Sequence, residues 1–243
     1  MIDPVREWET WQAWLGQEPT GTTIYAQVAE MVLSRQVWDG FAIVHDQAPE
    51  GAREDGTYLW WVRFNYARSQ GLAIRRQVEP RSDVVSLGRL IDSVWRYPTV
   101  LSRERFVAMQ VASSGYEDEA HRWFDSIAGT GRDFINPETP ARDMHDLIEK
   151  TAKVRKWVNK SVAHLSERRP AGPPLTDLHQ ALEDVATLFQ KYAGMILGAH
   201  IMIEEVIMQP WVHIFRPAWI GSDDDLRAVM ETLDEQIRRR RGG

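Results

Sequence analysis

The chain has 243 residues, no cysteine, and 35 acidic against 29 basic residues, a formal net charge of −6 at pH 7. That length suffices for one large domain that buries most of its apolar surface unaided. Absence of cysteine excludes disulfides, thiolate metal ligands and cysteine nucleophiles and predicts a reducing, cytoplasmic setting, while the acidic balance means that any nucleic-acid contact needs a local basic patch.

The opening MIDPVREWETWQ lacks a basic segment followed by an apolar one, so no signal peptide is expected. The longest nearly apolar run, Ala193 to Ile203, is short of the roughly 20 residues a membrane-spanning helix needs, so no membrane association is expected. A helical period begins at about Thr23 and runs to Gln47, through Ile24, Val28, Met31, Trp38 and Phe41. After the loop APEGAREDG, a second long helix is predicted over about 57–79, with the stripe Trp60, Phe64, Ala67, Gly71, Ile74 and Val78. Trp38 and Trp60 read as core. Gly71 within the stripe predicts a neighbouring helix in close approach.

Shorter helices are expected at about 86–96, 102–109 and 117–127, then a long Gly- and Pro-marked loop over 128–140. A long helix over about 141–166 carries the stripe Leu147, Ile148, Val154, Val158, Val162 and Leu165, until Pro170, Pro173 and Pro174 stop it. Another begins near Thr176, a plausible N-cap, and continues towards Met208. The last, about 222–241, opens with Asp223, Asp224 and Asp225 and closes with Arg238 to Arg241, an order that complements the helix dipole. No stretch alternates like a strand. The reading is an all-α single domain over 1–243: a bundle of about four long helices with its core at about 21–208, a short helical insert at about 97–140 and small helical ends, the C-terminal one at about 222–241.

Metal sites in bundles use Glu-x-x-His pairs on facing helices. This chain has none; Asp118 and His121 have that spacing once, and His179–Glu183 and His200–Glu204 are four apart. No metal site and no cofactor are expected. Phosphate loops of the P-loop or dinucleotide type and the Gly-x-Ser-x-Gly elbow are also absent. Two basic patches remain. One runs from Arg63 to Arg89, with six Arg against Glu79 and Asp83; the other runs from Lys153 to Arg169, with three Lys and three Arg against Glu167.

In the second patch, KVRKWVNKSVAHLSERR, the residues Lys153, Trp157, Lys160 and His164 follow helical spacing onto one face, flanked by Lys156 and Asn159. One reading is a solvated face whose lysine stems cover Trp157. The other is a site for a phosphate backbone, with His164 as general acid or base.

The segment VNKSVAH (158–164), late in a long bundle helix, resembles the motif of the HEPN superfamily, and in particular its AbiU-like, abortive-infection branch. Asn159, Lys160, Ala163 and His164 match, and AIRRQVEPRSDVVSLGRLI (73–91) is similar to that branch as well. The resemblance covers roughly residues 21 to 200. It implies a homodimeric helical bundle that binds RNA, and a metal-independent endoribonuclease of a phage-defence or toxin system. It also implies an antitoxin or other defence-system partner. In that chemistry the ribose 2′-OH attacks the adjacent phosphate, His164 moves the proton, and Asn159, Lys160 and Lys156 contact phosphate or position the histidine. Val158 stands where the motif has Arg, and Lys lacks the bidentate fork of a guanidinium. Arg75 and Arg76 are candidates to supply it from another helix. The alternative implied function is a catalytically inactive HEPN-like interaction protein that binds RNA or a protein partner.

Overall fold

The computed structural model describes residues 2–16, 22–47, 56–162 and 172–198. These residues belong to one compact unit spanning 1–207; residues 208–243, including the helix expected at 222–241, lie outside the described residues. The described architecture is all-α: α1 (Pro4–Leu15), α2 (Ile24–Gln47), α3 (Gly56–Val78), α4 (Leu87–Arg96), α5 (Arg103–Ser114), α6 (Glu117–Ala128), α7 (Glu138–Lys150), α8 (Ala152–Trp157), a π turn over Val158–Val162, and α9 (Leu175–Leu197). Among the described residues the only extended pairing is one antiparallel bridge between Ser102 and Phe134.

Helix α9 is the axis of the core. Leu178, Ala181, Leu182, Val185, Phe189 and Tyr192 are buried along it at steps of three and four, and α1, α2, α3, α7 and α8 all pack against it. Buried Tyr192 keeps its hydroxyl satisfied by donating to Asp143 Oδ2 at 2.9 Å, and Lys191 holds the same carboxylate at 2.7 Å. Helices α2 and α3 pack as neighbours, as expected, and α4 lies along α7 through Leu87, Leu90, Ile91 and Val94.

The core reaches further towards the N-terminus than residue 21. Asp3 caps α1 by accepting from Val5 N at 3.0 Å, Pro4 starts it, and Trp8, Trp11 and Leu15 bury one face. The Trp11 indole donates to Ser93 Oγ at 3.0 Å, tying α1 to α4. The insert keeps a small core of its own, where Phe106 and Val107 of α5 meet Ala120 and Phe124 of α6. Arg103 joins these two helices through Asp125 at 2.5 Å.

Two predicted elements differ. The helix expected over 141–166 is broken at fully buried Thr151, whose hydroxyl donates to the Leu147 carbonyl at 2.6 Å; such back-bonding bends helices. Ile148, expected in the core, is exposed on that helix. The helix expected from Thr176 towards Met208 starts at Leu175 behind Pro174 and ends at Leu197, because Gly198 takes a left-handed conformation with φ +70° that stops it.

Candidate nucleic-acid interface

The predicted close approach at Gly71 is where the two basic patches meet. A Cβ on Gly71 would stand 2.8 Å from Val158 Cγ2 and 2.9 Å from Trp157 Cζ3, so only glycine lets α8 and the π turn seat on α3. Val158 is fully buried, Val154 likewise, and both act as core, as their stripe predicts.

Trp157 does not behave as the spacing predicts. Rather than sharing an exposed basic face with Lys153 and Lys160, it is 6% exposed and lies under α3. Two effects produce this. Burial against Gly71 takes up the ring and the neighbouring Val158 together. Beyond Trp157 the backbone enters the π turn, whose i→i+5 bonding turns each residue through a smaller angle than an α-helix and so re-aims Asn159 and Lys160. Asn159 and Lys160 lie within this π turn and are exposed; Lys156 is exposed just before it. π turns occur disproportionately at functional sites. Ala163 and His164 lie outside the described residues.

Helix α3 has four arginines, Arg63, Arg68, Arg75 and Arg76, and no Asp or Glu. The segment from Ala152 to Val162 adds Lys153, Arg155, Lys156 and Lys160, again with no acid. Two of these eight cations are engaged: Lys153 with Asp177 at 3.0 Å, and Arg155 with the Ile148 carbonyl at 2.9 Å. Arg155 thus caps the end of α7. The other six have no carboxylate partner among the described residues.

At about 100° per residue, Trp61, Phe64, Arg68, Leu72 and Arg75 fall within an arc of about 80° on the outer face of α3. Arg75 is half-exposed on that arc. Arg76 turns to the other edge, where it lines a groove between α2 and α3 with Gln27, Glu30 and Gln70. The two arginines therefore do not act as a pair: Arg75 adjoins the cationic outer face and Arg76 the α2 groove.

The tryptophan assignments also change. Trp60 is 59% exposed and Trp61 56% exposed, whereas Trp38 is half-buried and stacks on Tyr66 with centroids 5.0 Å apart. The signal that could have exposed Trp60 and Trp61 was their adjacency: neighbouring residues about 100° apart cannot both lie at the centre of a buried stripe.

A second polar cluster joins α2, α3 and α9. The Tyr66 hydroxyl and His179 Nε2 are 2.9 Å apart, and Arg35 bridges Glu183 at 2.6 Å and Asp39 at 3.5 Å. Burial pushes the Tyr66 phenol well up and, with the Arg35 charge adding to it, pulls His179 down, so both are neutral at pH 7. His179 with Glu183, noted in the sequence for their spacing, thus serve a helix joint. Among the described residues no three His, Asp or Glu side chains gather as a metal site, and no helix is long and apolar enough to cross a membrane. Comparison with protein-family models, with curated proteins and with solved structures gives no match to this chain.

Proposed function

We propose that the chain is a HEPN-like, AbiU-related RNA-binding protein that acts as a homodimer in a phage-defence or toxin system, with α3 and the α8–π-turn segment as its RNA-binding face. One observation carries the reading. In a chain of net charge −6, two packed elements hold eight cations and no carboxylate, and six of those cations have no carboxylate partner among the described residues. Like charges gathered without counter-charges raise the energy of the folded state, and a polyanion relieves that repulsion. Lys156, Lys160, Arg68 and Arg75 would contact phosphate, and Asn159 in the π turn would orient it. Strand cleavage would fall to His164 as general acid or base: the 2′-oxygen of RNA bonds to the adjacent phosphorus as the 5′-oxygen of the next nucleotide leaves with a proton.

A second reading, binding without cleavage, is favoured by Val158. It holds the motif's Arg position and is fully buried, so that position offers no guanidinium to a phosphate. One experiment separates the readings: purified protein is incubated with total RNA and EDTA. New 2′,3′-cyclic phosphate ends support the ribonuclease. Retention of RNA without new ends supports the inactive form, and no retention at low salt defeats both. Light scattering tests the dimer against the 28.0 kDa chain mass.

A further inference from the structure

Helix α3 turns large rings towards solvent beside its arginines. Trp60 and Phe64, one helical turn apart, stack with centroids 5.0 Å apart and planes 11° from parallel. Arg68 closes one end of the stack, its guanidinium 5.1 Å from the Phe64 ring centroid. The Trp60 end is open, since that side chain is the most exposed of the α3 rings.

These rings wall a cleft of about 320 Å³, lined also by Arg63, Trp157, Gly172 and Leu175. That volume is at the small end of ligand sites. Trp157 is more than nine-tenths buried, and the nitrogen edge of its indole lies beside Gly172 at the cleft. A Cβ on Gly172 would stand 3.5 Å from that nitrogen; with glycine there, no side chain at 172 covers the edge. An indole N–H donates only, so it calls for a carbonyl or other acceptor on whatever enters.

We propose that this cleft receives one unpaired nucleobase of single-stranded RNA, stacked on the Trp60–Phe64 pair, with a base carbonyl at the Trp157 N–H and the adjoining phosphate at Arg63. The inference rests on the RNA-binding reading and narrows it to single strands. Bases in a duplex keep their faces covered by their neighbours, whereas splayed single-stranded bases stack on aromatic rings and arginine planes. A second copy of this chain fits the same surface poorly. Two-fold pairing sets like against like and would bring Arg63 and Arg68 of one copy against those of the other.

The test uses the full chain and three labelled probes of equal length at fixed salt: oligouridylate, an abasic oligoribonucleotide, and an RNA duplex. Wild type should bind oligouridylate more tightly than either other probe. Trp60→Ala should weaken oligouridylate binding roughly tenfold, the usual size of one lost base stack, and leave abasic binding unchanged. Trp60→Leu, which keeps apolar bulk without a π face, should behave as Trp60→Ala and controls for folding. Equal binding of oligouridylate and abasic probes by wild type overturns the cleft and leaves a phosphate-binding protein standing. Equal losses on both probes, or a change of oligomer mass in Trp60→Ala, also overturn it. No binding of any probe overturns the RNA reading itself.

Discussion

Gly71 and Val158 meet where α3 crosses the π turn, so closely that a single added carbon at 71 would sit 2.8 Å from Val158 Cγ2. The contact joins the two acid-free segments and fixes where Asn159 and Lys160 emerge on the surface. Packing at this point therefore sets where these side chains stand.

Gly71→Ala sets two effects against each other. Alanine gains about 1 kcal/mol of helix propensity over glycine. Overpacking against two buried side chains costs about 1–3 kcal/mol. Val158 and Trp157 have little room to yield, so the clash should win and urea unfolding should show a net loss of about 1 kcal/mol. Adding Val158→Ala removes the closest atom, so the double variant should lose less than the sum of the singles. Strict additivity would mean that the two residues do not touch.

Val158→Arg tests whether restoring the motif residue restores the motif. The position is fully buried. A guanidinium there has no carboxylate on either packed segment, so the fold should lose several kcal/mol and the melting temperature should fall sharply. An unchanged melting temperature, with new ribonuclease activity, would show that the π turn opens position 158 to solvent.

The Tyr66–His179 pair gives a pH dependence. The folded protein holds the His179 pKa below its ordinary value of 6.5, chiefly through burial and then through the Arg35 charge. The unfolded chain therefore binds the proton more readily, and stability must fall as pH drops below about 6.5. His179→Asn cannot titrate but can still bond Tyr66. Melting scans between about pH 5 and 8 should show wild type losing more stability on the acid side than this variant. Parallel curves would remove His179 from the account.

The long helices were legible because each buries one continuous stripe: Ile24, Val28 and Met31 in α2, Ile74 and Val78 in α3, and Val154 in α8 with Val158 at the start of the π turn. Gly71 was legible as well, since a glycine costs a helix stability unless something occupies the space it leaves. The break at Thr151 was not, because a threonine inside an apolar stripe reads as a tolerated polar residue until its hydroxyl is seen on the Leu147 carbonyl. The π turn had no signal at all in the period, and together with burial against Gly71 it sends Trp157 and Lys160 to different environments. Helix α1 reads from the sequence only as a small helical end outside the core, because its stripe of Trp8, Trp11 and Leu15 is short and interleaved with charge.

The cationic face predicts a salt slope. Each phosphate neutralised on a single strand releases about 0.7 counterion. Lys156→Ala with Lys160→Ala should therefore lower the slope of log K against log salt by about 1.4. The melting temperature should stay unchanged, because both side chains are exposed and neither has an ion-pair partner among the described residues. As a control, Lys150→Ala, a lysine already bonded to Asp184 at 3.0 Å, should leave the slope unchanged. Equal effects from the two variants would mean that binding senses only net charge.

His164 carries the catalytic part of the proposal, and it lies outside the described residues, entering through its place in VNKSVAH. A histidine needed for packing would lower stability when removed. One that only moves a proton in the substrate complex leaves the free protein intact, and its loss lowers the rate by about 10²- to 10⁴-fold. His164→Ala should thus keep the helical circular-dichroism signal, the mass and the affinity for RNA, while new 2′,3′-cyclic phosphate ends in the presence of EDTA disappear. The variant also separates the two readings of Val158. Equal RNA binding by wild type and His164→Ala, with neither producing new ends, removes the ribonuclease and leaves a protein whose cationic face holds RNA without cutting it.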